Sequence, residues 1–151
     1  FKRILNYFVS YDFREQLIDK VAHELNYVFH TSEFYVPVDK LIKMQLSGNL
    51  IGSQTVSHPV MSKLNKKEQN REIEDSFKFL DSNLHLDVKT YCHPYGGFHS
   101  FNDKTVNSLA ENEVLFSFNV ESRDICDKDL TSSIQFLPRY DCNQFPFGKA
   151  S

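Results

Sequence analysis

The chain has 151 residues, 40% of them hydrophobic and 25% charged, and a formal net charge of -3. That size and mix suit one ordinary globular domain and exclude collagen-like, disordered and coiled-coil chains. With no overall basic surface, nucleic acid is not expected as a partner. No apolar run reaches the roughly 18 residues that span a bilayer, so no membrane is expected either.

In chain order, the first predicted element is a helix from Phe1 to Asn26. Phe13, Leu17, Ile18, Val21, Ala22 and Leu25 recur at helical spacing, and Asp12 stands where a cap belongs. The stretch from Tyr27 to Phe34 is ambiguous. Pro37 opens a short helix with Val38, Leu41, Ile42 and Leu46 on one side, and Gly48 stops it. Leu50-Ile51 reads as a short strand, followed by a polar turn from Gly52 to Pro59.

Asn65 with Glu68 three residues on forms a capping box for the clearest helix. Ile73, Phe77, Leu80 and Leu84 are its buried stripe; Lys66, Lys67, Glu72 and Lys78 fall on a solvated face. Val88 to Cys92 is a strand ended by Pro94-Tyr95-Gly96-Gly97. Ser100 or Asn102 caps a further helix that turns Val106, Leu109 and Ala110 inward. Leu115 to Val120 and Ile134 to Leu137 are strands, with a charged surface loop from Glu121 to Ser133 between them.

Strands alternating with helices imply α/β architecture with parallel pairing and right-handed crossovers. Ligands in such sheets sit beyond the carboxyl ends of the strands. The three unusual segments all follow predicted strands: the Gly52–Pro59 turn, the Pro94–Gly97 turn and the tail after Leu137. One hollow could collect all three.

Each segment has a chemical reading and a structural one. His58, on a turn beyond a strand, suits a metal ligand or general base, although most lone histidines are surface or hydrogen-bonded structural residues. Gln54 lies four residues earlier and would share its face if the turn wound helically. Its neutral amide oxygen is a poor match for zinc beside an imidazole. In Tyr91-Cys92-His93-Pro94-Tyr95-Gly96-Gly97 the glycines let the backbone approach a ligand, and successive N–H groups could hold an oxyanion; a tight turn filled by an aromatic ring is the alternative. Cys92 and His93 point to opposite faces of a strand, so they are not a nucleophile–base pair. Arg139 and Asp141 alternate onto one face, either as a structural ion pair or to orient a catalytic group or grip a sugar. Phe98, Phe101, Phe136, Phe145 and Phe147 gather near these turns as core and rim rather than as a sugar platform. The three cysteines, Cys92, Cys126 and Cys142, form no Cys-x-x-Cys pair. Reduced, buried thiols in a cytoplasmic protein are expected.

Together these segments resemble the polysaccharide deacetylase family (carbohydrate esterase family four). Gln54-Thr55-Val56-Ser57-His58-Pro59 resembles its His-Thr-x-x-His-Pro motif, Pro94-Tyr95-Gly96 its Pro-Tyr-Gly motif, and Leu137-Pro138-Arg139-Tyr140-Asp141 its late segment. The resemblance runs from about Tyr35 to the C-terminus, which suggests residues 1–34 as an N-terminal helical segment and 35–151 as the C-terminal part of a deformed (β/α) barrel. It implies hydrolysis of N-acetyl groups on a sugar or polysaccharide at a divalent metal, zinc first, held by one Asp and two His. A second Asp would be the base and a late His the acid. Carried over, His58 matches the second His ligand and Tyr95 the backbone oxyanion donor, with Pro94, Tyr95 and Gly96 against the substrate.

Gln54 stands at the first His position, Cys92 where many members have Arg, and neither an Asp-Asp-Gly turn nor a Leu-x-His appears. Two explanations stay open. One is the C-terminal part of a longer enzyme, consistent with a length below the ~250 residues of a full barrel. The other is a carbohydrate-binding or assembly module without activity, for which no metal is expected. Incomplete barrel edges favour self-association into a homo-oligomer.

Overall fold

The computed structural model describes residues 2–28, 30 and 34–146. The N-terminal stretch forms two helices, α1 (Lys2–Tyr7) and α2 (Tyr11–Glu24), instead of one. The chain breaks where Ser10 turns extended (φ -63, ψ 140), so Ser10 and not Asp12 takes the cap position. The α2 stripe does not reach a core: none of its residues is buried, and Phe13 is 64% exposed. Helical spacing sets which residues share a face, but only a facing element buries them. α3 (Val38–Leu46) follows Pro37 and stops before Gly48 at φ 87, as expected.

α4 (Lys66–Asn83) begins at Asn65 with the reciprocal Asn65–Glu68 capping box in place. β1 (Thr90–Cys92) pairs in parallel with β2 (Phe116–Phe118), Thr90 opposite Phe116 and Cys92 opposite Phe118. Between them runs α5 (Asp103–Glu111), capped by Asn102. Its Leu109 is buried, whereas Ala110 faces outward. Single parallel bridges join Ser53 to Tyr91 and Phe118 to Leu137. Four chain segments therefore lie side by side in sequence order, a small parallel sheet of the expected α/β kind; a closed barrel is not formed by the described residues.

Two expected strands are reduced to single bridges. Leu50-Ile51 leaves the pairing to Ser53, and Ile134–Phe136 is a 3₁₀ turn, with Leu137 alone in register. The Gln135 carbonyl accepts the side chains of His93 and Ser117, which diverts this backbone from a ladder. The expected 121–133 loop holds α6 (Asp127–Ser132), pinned by a bidentate Arg123–Asp129 pair. Cys126 and Cys142 are exposed and Cys92 is half-buried, contrary to the expected burial.

The core lies between α4, α5 and the sheet, around Met61, Ile73, Phe77, Tyr91, Leu109 and Val114. Among the described residues no helix is long and apolar enough to cross a membrane. The end of α5 offers a local test. Glu113 sits at φ 60 with its N–H on the Ala110 carbonyl, and Val114 N–H returns to Leu109, a Schellman ending that favours glycine. Glu113→Gly is expected to stabilise the chain by about 1 kcal/mol, measured as a raised urea midpoint; an unchanged or lowered midpoint would refute it.

Candidate functional site

The Gly52–Pro59 segment leaves the sheet after Ser53 and folds into a loop, not a helical turn, so Gln54 and His58 are not placed on one face by helical geometry. Thr55 (φ 69) and His58 (φ 52) are left-handed, and His58 precedes proline, where the backbone is further restricted. Non-glycine residues hold such conformations only where their surroundings over-determine them. Here the surroundings are explicit. Ser53 Oγ accepts the Thr55 N–H (3.1 Å), Thr55 Oγ1 accepts the His58 N–H (3.0 Å), and Glu72 on α4 accepts the Val56 and Ser57 N–H groups, each at 2.9 Å.

The second turn rises beyond β1. Tyr95 (φ 63) and Gly96 (φ 69) are consecutive left-handed residues, and the Tyr95 ring meets the His58 imidazole edge-on at 4.8 Å between centroids. His58 and the Tyr95 turn thus meet through their rings, beyond the ends of adjacent parallel segments. Among the described residues the Tyr95 N–H donates to no protein acceptor. Burial of the Tyr95 phenol pushes its pKa up.

The third segment acts at one remove. Arg139 Nε donates to the Asn119 carbonyl (3.0 Å), and the next residue, Val120, donates its N–H to the Gly96 carbonyl (3.2 Å). Arg139 therefore braces the strand end on which the Tyr95–Gly96 turn leans. Asp141 is spent on a cap, accepting the Asn143 N–H (2.9 Å), which holds its carboxyl below the usual range. The expected Arg139–Asp141 ion pair is not formed, because each side chain has a nearer backbone partner. Cys92, facing away from buried His93, has its thiol pushed up by burial, with Arg139 acting in the opposite direction.

Several residues here were not singled out from the sequence. Tyr7 of α1 packs on Tyr95 (5.6 Å) and bonds His99 Nε2 through its hydroxyl (3.2 Å). Tyr11 of α2 accepts the Val60 N–H (2.7 Å), and Lys63 Nζ donates to the Tyr7 carbonyl (3.2 Å). Glu72, assigned by periodicity to a solvated face, instead grips the His58 loop; its i,i+4 relation to Ser76, which bonds Ser53 at 2.6 Å, is the one sequence signal that aligns them. Nothing in the sequence announces the Tyr7 and Tyr11 contacts. Two cavities flank the loop. One of about 390 Å³ is lined by Tyr11, Arg14, Ser57 and Pro59; the other, of about 430 Å³, by Gln54, Ser76 and Phe79. The aromatic group is partly core, with Phe98, Phe101 and Phe136 in mutual contact and Phe145 against Tyr140; Phe147 lies outside the described residues.

A family model of polysaccharide deacetylases matches residues 18–116, which include both the His58 loop and the Tyr95 turn. The chain belongs to the polysaccharide deacetylase family. The fold agrees: a solved structure, the Streptococcus pyogenes deacetylase PplD in complex with acetate, superposes with a TM-score of 0.65 at 20% identity. The match covers 72% of this polysaccharide deacetylase-family chain and 46% of PplD, so the chain spans about half of that protein's length. Among curated protein sequences nothing matches it.

The family is generally metal-dependent, and the donor set can be tested against that. Among the described residues no three His, Cys, Asp or Glu side chains gather as a metal group. His58 offers one imidazole, and Gln54 a neutral amide on the wall of the 430 Å³ cavity. One imidazole and an amide do not fit a zinc site that needs three protein ligands. The described residues of this chain do not by themselves make that centre.

Proposed function

We propose that this chain carries the carbonyl-binding side of a polysaccharide deacetylase site, which holds the N-acetyl group of a sugar for hydrolysis. The supporting observation is the uncommitted Tyr95 N–H on a left-handed turn beside the His58 ring. Water adding to an amide carbonyl places negative charge on its oxygen, and a fixed N–H aimed there lowers the barrier without reorganisation. Pro94, Tyr95 and Gly96 form the wall against the sugar amide. His58 is the first candidate for a metal or proton-bearing role, with Gln54 a weaker second ligand. Arg139 supports the turn through Asn119 and Val120, and Asp141 caps the Cys142–Gln144 turn. In this reading the helical segment given as residues 1–34 is an accessory to the 35–151 part; its α1 and α2 touch that part through Tyr7 and Tyr11.

The test is acetate release from oligomers of N-acetylglucosamine, using the longest natural form of the protein that contains this chain. His58→Ala is expected to lower the rate on the order of 10²-fold or more, and an unchanged rate would remove the assignment. Gln54 favours a second reading: an inactive carbohydrate-binding or assembly module of the same fold, with the exposed apolar side chains of α1 and α2, such as Ile4 and Phe13, as its self-association face. Sugar binding with no acetate release, in a protein that sediments as an oligomer, would select it.

A further inference from the structure

Glu72 projects from the middle of α4, outside the reactive motif and 15 residues beyond its Ser57. Its carboxylate gathers three donors from consecutive residues: Val56 N–H and Ser57 N–H on Oε2, each at 2.9 Å, and the Ser57 hydroxyl on Oε1 at 2.7 Å. Two successive backbone N–H groups wrapped on one anion form a nest, a geometry that fixes the dihedrals on both sides of it. The flanking residues are Thr55 and His58, the two left-handed residues of the loop. Ser76, one helical turn on, grips the loop's entry through Ser53. α4 is itself held from its other face by Ile73, Phe77 and Leu80 in the core, so the clamp has a rigid base.

We infer that Glu72 is the positioning residue for His58: it holds the loop in the strained form that sets the imidazole against Tyr95. The helix does not need this carboxylate to fold, whereas the loop needs a partner for two N–H groups and a reason to stay left-handed before Pro59. For function, the inference rests on the deacetylase reading given above, because placing His58 matters only if the His58–Tyr95 site binds a sugar amide.

The test compares wild type, Glu72→Ala and Glu72→Gln. Gln keeps the volume but replaces one acceptor oxygen with a donor, so it cannot accept both the N–H pair and the hydroxyl; it also serves if the alanine variant does not fold. Three quantities are read: hydrogen exchange of the Val56 and Ser57 amides against those of α4, the His58 ring resonances, and affinity for an N-acetylglucosamine trimer. Expected are loss of protection confined to the loop, shifted His58 resonances, native α4 protection, and affinity lower by on the order of 10-fold. Native loop protection with unmoved His58 resonances in both variants would overturn the inference. So would uniform loss of protection across α4 and the loop, which marks a general structural role. If the loop loosens and His58 shifts but wild type also fails to bind the trimer, the positioning role stands and the deacetylase reading falls.

Discussion

Acidification from pH 7 to pH 4 is expected to destabilise the chain by about 3 kcal/mol through His93 alone. His93 is 1% exposed, stacked on Phe101 at 3.8 Å, and places Nε2 2.8 Å from the Gln135 carbonyl. The carbonyl can only accept, so Nε2 carries the proton and Nδ1 is left buried without a partner. Burial lowers the imidazole pKa from 6.5 to about 4, against the opposing pull of the Gln135 carbonyl. A histidine whose folded pKa is depressed binds fewer protons folded than unfolded between the two values. Stability from this group is therefore complete above about 6.5, falls as the pH drops towards 4, and changes no further below that. Urea titrations at pH 7, 5.5 and 4 would show the slope. In His93→Gln, which can still donate to the Gln135 carbonyl, this part of the slope should vanish; an equal slope in the variant would assign the acid sensitivity elsewhere.

Gly96→Ala should cost about 3 kcal/mol, from strain at a left-handed position together with overpacking. Gly96 lies at φ 69, and a Cβ there would fall 2.4 Å from Val120 Cγ1 and 3.0 Å from the Val120 backbone nitrogen. Retreat from Val120 would break the 3.2 Å bond between its N–H and the Gly96 carbonyl, so the alanine has no cheap relief. Gly97→Ala is the control. Its Cβ would meet only the His99 imidazole, at 2.6 Å, the end of a side chain that can rotate away. Thermal melts of the two variants should separate clearly, with Gly97→Ala within about 1 kcal/mol of wild type. Equal losses would show that the Tyr95–Gly96 turn is not pinned by Val120. Because the same turn carries the Tyr95 N–H, sugar affinity should fall with stability in Gly96→Ala and stay near wild type in Gly97→Ala.

The parts of the site legible in the sequence are those written in local residue chemistry. Pro94-Tyr95-Gly96 marks a turn, and the 54–59 string marks a second reactive segment. Asn65 and Glu68 fix where α4 begins, and hence that Ile73, Phe77 and Leu80 face the core. Local chemistry misleads where a residue's partner is distant in the chain. Glu72 satisfies helical periodicity as a solvated residue, yet a loop fifteen residues earlier folds over it. Arg139 and Asp141 have the spacing of an ion pair, but each finds a backbone group first. The 134–137 strand lost its ladder because the Gln135 carbonyl was taken by His93 and Ser117 side chains.

Sequence alone thus determined the α/β class, the long capped helix, the parallel order of the segments and the two motifs that mark the family, since propensity, capping and patterning act within a few residues. Tertiary structure alone decided that His58 and Tyr95 meet, that Glu72 and Arg139 support them from either side, and that the apolar stripe of α2 stays uncovered. Those outcomes depend on which surfaces the folded chain brings within a few ångströms of one another, and no local pattern encodes a contact made across fifteen or more residues.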